Sequence, residues 1–217
     1  MQPLVSALAG VALGLSLAAP PGPMNAIIAE ESVLRGWRSG FRAGLGAMSA
    51  DACFLMLALL GVVAVVRDVS AVKGALFAAG GLLMLYFAYG AASDASDAFT
   101  GDPTDVADDS KGFRKAFVLA LTNPYQILWW LTAGVSLLDP GTVSTDALGG
   151  LTVATGSPVI VVGFFAGIAV WITGFPAALV AAGRRVDALA PVVAYASAAV
   201  LALAGLSFLS EAVGIAT

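Results

Sequence analysis

The stretch AAPPGPMNAII, residues 18–28, decides how this chain folds. It lies within a run that carries no charge before Glu30. A run of about 20 apolar residues is enough to cross a ~30 Å hydrocarbon core as a helix. Yet Pro20, Pro21, Gly22, Pro23 and Asn25 interrupt it. Proline has no amide hydrogen and clashes with the carbonyl four residues back. Pro21 and Pro23 should therefore free the carbonyls of Leu17 and Ala19. In lipid, such groups must find side chains, water, neighbouring helices or a ligand. The break is thus either a kink satisfied by packing or a half-helix binding site.

The composition supports a membrane reading. Of 217 residues, 59% are apolar and 11% charged, against about 25% charged in soluble domains. The apolar runs are continuous rather than alternating, which argues against a β-barrel. The first run is read as a retained helix, not a cleaved signal peptide, because no Lys or Arg precedes Arg35. The only cysteine, Cys53, excludes an internal disulfide, a CxxC pair and a multi-thiolate metal site. With no histidine, haem ligation, His–metal sites and His proton relays are excluded in their common forms. No cofactor is called for. Six Asp between Asp94 and Asp109 read as a solvated acidic loop.

Six membrane helices follow: Pro3 to Ala29, Ala43 to Val66, Gly74 to Ala92, Ala116 to Leu138, Ser157 to Ala182 and Ala188 to Ser210. Arg35, Arg38, Arg42, Lys111, Arg114, Lys115, Arg184 and Arg185 fall on one side, and Arg67 and Lys73 on the other. The positive-inside rule puts the eight in the cytoplasm and both termini outside. The polar loop 93–112 divides the chain into three helices (1–92) and three (113–217), all in one membrane domain. An odd number per half gives the halves opposite orientations, the arithmetic of an inverted-topology repeat. The fold class is therefore an all-α polytopic membrane protein with helices 1 and 4 broken by proline. Helix 4 carries Thr122-Asn123-Pro124-Tyr125-Gln126, the counterpart of the first break. Pro124 should free the carbonyl of Ala120. Matched breaks in two halves are the best sequence pointer to a transport site.

Depth adds a third element. At about 1.5 Å per residue, Asp51 lies ~18 Å inside helix 2, Asn123 ~16 Å inside helix 4, and Asn25 ~10 Å from the cytoplasmic end of helix 1. A central Asp costs about 2.5–3.5 kcal/mol to insert and usually faces a cavity or a partner. No basic residue shares its depth. Asp51 is either a protonated, hydrogen-bonded group or, the reading favoured here, a proton carrier or counter-charge for a cationic substrate group. Pro176, within WITGFP of helix 5, reads as a helix-breaking kink with gating second. Glu30 and Glu31 read as solvated or snorkelling near the surface, and Trp129 and Trp130 as bundle or lipid contacts. The pairs Gly10/Gly14, Gly40/Gly44 and Gly163/Gly167 signal close helix packing, with a homodimer contact as their second use.

These motifs resemble the lysine-exporter (LysE/RhtB) family of amino-acid efflux permeases. PGPMN, followed by ESVLRGWRSGFRAGLGAMSADACFLMLALLGV, is similar to the family's G-P-x-N break, basic loop and acidic second helix. KAFVLALTNPYQILWW resembles its L-N-P segment, and VWITGFPAALVAAGRR its fifth helix. The Asp-rich third loop departs from the family, where that loop is often more mixed in charge. The resemblance implies a permease of the prokaryotic plasma membrane that exports amino acids or related small metabolites, driven by protons or the membrane potential. By position it implies Gly22, Pro23, Asn25, Asp51, Asn123 and Pro124 as transport residues. Asp51 is the proton-coupling candidate. A metal- or inorganic-ion transporter on a related scaffold is the alternative; it would need more intramembrane acids than Asp51. One cysteine and no histidine weigh against a membrane enzyme. A scaffold protein would tolerate Asp51→Leu.

Overall fold

The break at residues 19–22 is real and sharp. The computed structural model describes residues 2–60, 70–100, 109–144, 152–186 and 189–216. In it the first predicted helix is two: α1 (Gln2–Ala18) and α2 (Pro23–Arg35), bent by 81°. Pro23 takes the first helical position of α2, where its missing N–H costs nothing. Gly36, at φ 87°, then reverses the chain into α3 (Trp37–Leu59). A positive φ at this tight reversal suits glycine.

The remaining helices are α4 (Ser70–Thr100), α5 (Asp109–Thr122), α6 (Pro124–Trp129), a π-helical turn at Trp130–Gly134, α7 (Val135–Leu138), α8 (Pro158–Gly183) and α9 (Leu189–Ala216). Two strands, β1 (Gly141–Ser144) and β2 (Thr152–Thr155), pair antiparallel with Gly141 opposite Thr155. Among the described residues, α3, residues 74–93 of α4, α8 and α9 are each long and apolar enough to cross a membrane, and the bent pair α1–α2 makes a fifth where it is counted as one span rather than as a re-entrant loop.

The fourth segment is broken as expected, because Asn123 and Pro124 end α5 and start α6. One boundary differs from expectation. The third helix runs to Thr100, past the predicted Ala92, so the polar loop is shorter than 93–112. The alanines of SDASDAF sustain helix beyond the apolar core. Asp102, Asp105, Asp108 and Arg67 lie outside the described residues. Pro176 lies inside α8, which runs through it. The architecture is mostly helical, as expected, and the one short hairpin among the described residues tucks against α1, where Ser6 Oγ accepts the Ala154 N–H at 2.9 Å.

The small-residue stripes are consumed within the chain. A Cβ on Gly10 or Gly14 would collide with the carbonyls of Ile160 and Phe164, and one on Gly163 or Gly167 with those of Ala7 and Val11. Thus α1 and α8 touch backbone to backbone. Gly40 backs onto Ser32 and Gly44 onto Ile172. α4 packs along α9 and α3 along α5, with α2 in the middle against α9, α3 and α8. Every residue from Asn25 to Ser32 is buried, so a helix with two glutamates sits at the centre of the bundle. Leu82, Val162, Val170 and Leu203, all more than half exposed, form part of an apolar outer surface suited to lipid.

Candidate functional site

The break that separates α1 from α2 is held open by one side chain. Asn25 Nδ2 donates to the carbonyls of Ala18 (2.7 Å) and Pro20 (2.8 Å). Its Oδ1 accepts from Trp171 Nε1 of α8 at 2.9 Å. The carbonyls that Asn25 satisfies are those of Ala18 and Pro20 rather than the expected Leu17 and Ala19. Leu17 O and Ala19 O each sit one residue away in the same turn. Asn25 is thereby committed to the scaffold on three valences.

The second break closes differently. Asn123 is the N-cap of α6: its Oδ1 accepts the Tyr125 N–H at 3.0 Å. Its own N–H donates to the Ala120 carbonyl at 3.3 Å, the group that Pro124 was expected to free. Capping of this kind satisfies donors that the first helical turn leaves without partners. By contrast, Gly22 gives α2 no side-chain cap. The N-terminus of α2 thus carries backbone N–H groups, together with the positive end of the helix dipole, at the wall of a cavity.

Asp51 completes the arrangement. It is 4% exposed, and its Oδ1 accepts from Gln126 Nε2 at 2.7 Å and Trp130 Nε1 at 2.8 Å. Both donors belong to the segment after the second break. They are four residues apart, hence on one helical face, and Gly134 leaves room for the Trp130 ring. Oδ2 makes no hydrogen bond among the described residues, yet every fully enclosed side-chain oxygen and nitrogen there has a partner. Oδ2 is therefore the oxygen open to the cavity.

That cavity has a volume of about 360 Å³. Pro21, Gly22, Pro23, Asn25, Asp51 and Asn123 all line it, so the start of α2, the middle of α3 and the α5–α6 junction meet in one space. Pro124 is buried beside it without lining it, and Pro176 lies away from it. The rest of the wall is mainly apolar, with Leu17, Met24, Ile28, Ile168 and Ile172 among its members. Among the described residues no cluster of three or more His, Cys, Asp or Glu could hold a metal ion.

Sequence reasoning missed several partners. Gln126, Trp130 and Trp171 lie 75, 79 and 146 residues from the groups they bind. The four-residue spacing of Gln126 and Trp130 was the one available signal. Glu30 and Glu31 are not solvated as expected. Lys115 Nζ reaches both oxygens of Glu30, at 2.8 and 3.0 Å, and Glu30 is fully buried. Glu31 accepts from Ser39 Oγ and pairs with Arg35 at 3.2 Å. The buried Glu30–Lys115 pair is the ion pair that the depth estimate did not foresee.

The comparisons with known proteins agree with this picture. The LysE type translocator family matches residues 15–212. An uncharacterised membrane protein of Pseudomonas aeruginosa is 29% identical over 126 residues, covering 56% of this chain and 58% of its own. A putative amino acid efflux protein of Bacillus subtilis, YcgF, is 30% identical over 137 residues, covering 60% and 63%. A leucine efflux protein of Salmonella choleraesuis is 28% identical over 123 residues, covering 55% and 57%. The matches therefore span less than two thirds of these relatives. No solved structure matches the chain.

Proposed function

The chain belongs to the LysE type translocator family, whose members are transporters rather than enzymes, and from that premise we propose that it exports a small amino acid or related zwitterion. The observation that carries the reading is Asp51, with two donors fixing Oδ1 and Oδ2 left to the cavity. An ammonium group placed at Oδ2 meets a carboxylate already oriented. The uncapped start of α2, across the same space, offers N–H groups to a substrate carboxylate, as helix N-termini do for anions. Asn25 and Asn123 act as positioning residues that keep the two breaks open. Pro23 and Pro124 fix where the helices restart, and Gly22 leaves the approach clear. The volume lies near the lower end of about 300–1,000 Å³ for ligand pockets. With one acid in the lining and apolar walls, the site suits a neutral, apolar side chain better than a second cation.

In this reading the bent pair α1–α2 and the run α5–α6–α7 are corresponding spans of two inverted three-helix repeats, residues 1–92 and 113–217. Six crossings then place both termini outside the plasma membrane of a prokaryote. Alternating access moves the halves about the central site, and the Glu30–Lys115 pair joins α2 to α5 on the cytoplasmic side. A proton carried on Oδ2 in one half-cycle, exchanged for the ammonium in the other, couples export to the proton gradient.

The test is counterflow and gradient-driven transport in proteoliposomes, over a panel of neutral, basic and acidic amino acids. Wild type should move neutral apolar amino acids with a pH-gradient dependence. Asp51→Asn keeps an acceptor for Gln126 and Trp130, so it should fold while losing at least about 90% of transport, a barrier rise of roughly 1.4 kcal/mol or more. Transport by Asp51→Asn with unchanged rate and pH dependence would remove Asp51 from the mechanism.

A further inference from the structure

A second cavity, about 670 Å³, lies between α2, α4 and α5 and is not used by the transport reading. Its floor is the Glu30–Lys115 and Glu31–Arg35 pairs, in which each acid is matched by a base. Two further cations, Lys111 and Arg114, also line it and make no hydrogen bond or ion pair among the described residues. Among the described residues the lining therefore carries four bases against two acids. A zwitterion has no use for spare charge of one sign, but an anion does.

The other wall is of a different kind. Tyr86 and Tyr89 of α4 are 70% and 76% exposed, and Val118 of α5 is 40% exposed. Between the tyrosines and the basic end, Gly90 leaves a notch, with nothing within 4 Å of where a Cβ would stand. The cavity thus has a basic end and, beside it, an exposed aromatic and apolar wall. Tyrosines of this sort sit at the headgroup level of membranes. Basic pockets between transmembrane helices on the cytoplasmic side are the usual seats of anionic lipid headgroups.

We propose that this cavity binds the phosphate of an anionic phospholipid, with Lys111 and Arg114 holding the headgroup and an acyl chain lying along Tyr86 and Val118. A free phosphate anion shares the headgroup chemistry, but it has no use for the exposed Tyr86, Tyr89 and Val118 wall. The proposal rests on the membrane placement alone and is independent of what the central site carries.

Native mass spectrometry and thermal unfolding of the full chain in uncharged detergent test it. Dioleoylphosphatidylglycerol, dioleoylphosphatidylcholine and inorganic phosphate are added in parallel. Wild type should retain phosphatidylglycerol about tenfold or more over phosphatidylcholine and melt at a higher temperature with it. The double variant Lys111→Gln/Arg114→Gln, at two exposed positions, should melt normally without lipid and lose that preference. Equal retention of both lipids, an unaltered preference in the double variant, or equal stabilisation by inorganic phosphate would each overturn the proposal.

Discussion

At the residue scale, Asn25 and Asp51 show how a polar side chain is made tolerable at the middle of an apolar bundle. Each is given defined partners rather than simply being buried. Asn25 spends its amide on two carbonyls released by the proline-rich turn, and its oxygen on Trp171. Removing the indole donor with Trp171→Phe leaves that oxygen unpaired while keeping most of the ring volume. The cost should be about 1–3 kcal/mol, the range for stranding a buried polar group, read as a lower midpoint in thermal or denaturant unfolding. Asn25→Leu should cost more than Trp171→Phe, because it strands two carbonyls and an indole N–H together. A smaller cost for Asn25→Leu would show that water replaces the side chain in the break.

At the scale of elements, two contacts tie together helices far apart in the sequence. One is the buried pair between α2 and α5. Lys115→Met takes from the fully buried Glu30 the ammonium that reaches both its oxygens, and losing hydrogen bonds to a charged group should cost about 1.5–3 kcal/mol. Adding Glu30→Gln should restore most of that loss, since the pair as a whole contributes little net stability. A double-mutant cycle in urea or heat measures the coupling, and additivity of the two changes would deny the pair. The other contact is the glycine seam of α1 and α8. Gly14→Ala puts a methyl group on the Phe164 carbonyl and should destabilise by about 1–3 kcal/mol. Gly174→Ala, also in a helix but with nothing within 4 Å, should be neutral or stabilising by about 0.5–1 kcal/mol. If both shift the melting temperature alike, the seam is not tightly packed.

For the whole molecule, the proposed inverted repeat makes a claim about sides. In a Cys53→Ser background, Gln2→Cys and Glu211→Cys should react with a membrane-impermeant maleimide applied from outside. Arg38→Cys and Arg184→Cys should react only after permeabilisation. Labelling of the two termini from opposite sides would mean an odd number of crossings, and the matched-break reading would fall with it. The bend of 81° between α1 and α2 gives this experiment its weight. A sharply broken pair is counted as one span only if its two ends emerge on opposite faces of the membrane.

What the sequence by itself determined is local. The apolar runs set helices, and the prolines set where two of them restart. These follow from backbone geometry within a few residues, and the expectation of breaks at Pro23 and Pro124 needed no partner to be known. The acid at mid-helix was legible for the same reason, since its insertion cost depends on depth alone. Tertiary structure decided everything that depends on which face meets which. It brought Gln126 and Trp130 to Asp51, placed Trp171 against Asn25, and turned Glu30 from a surface charge into half of a buried pair. Helical periodicity gives no phase between segments that are 75 or more residues apart. Only the close packing of α1 on α8 and of α3 on α5 around α2 fixes that phase. The same packing gathers Asn25, Asp51 and Asn123 around one cavity.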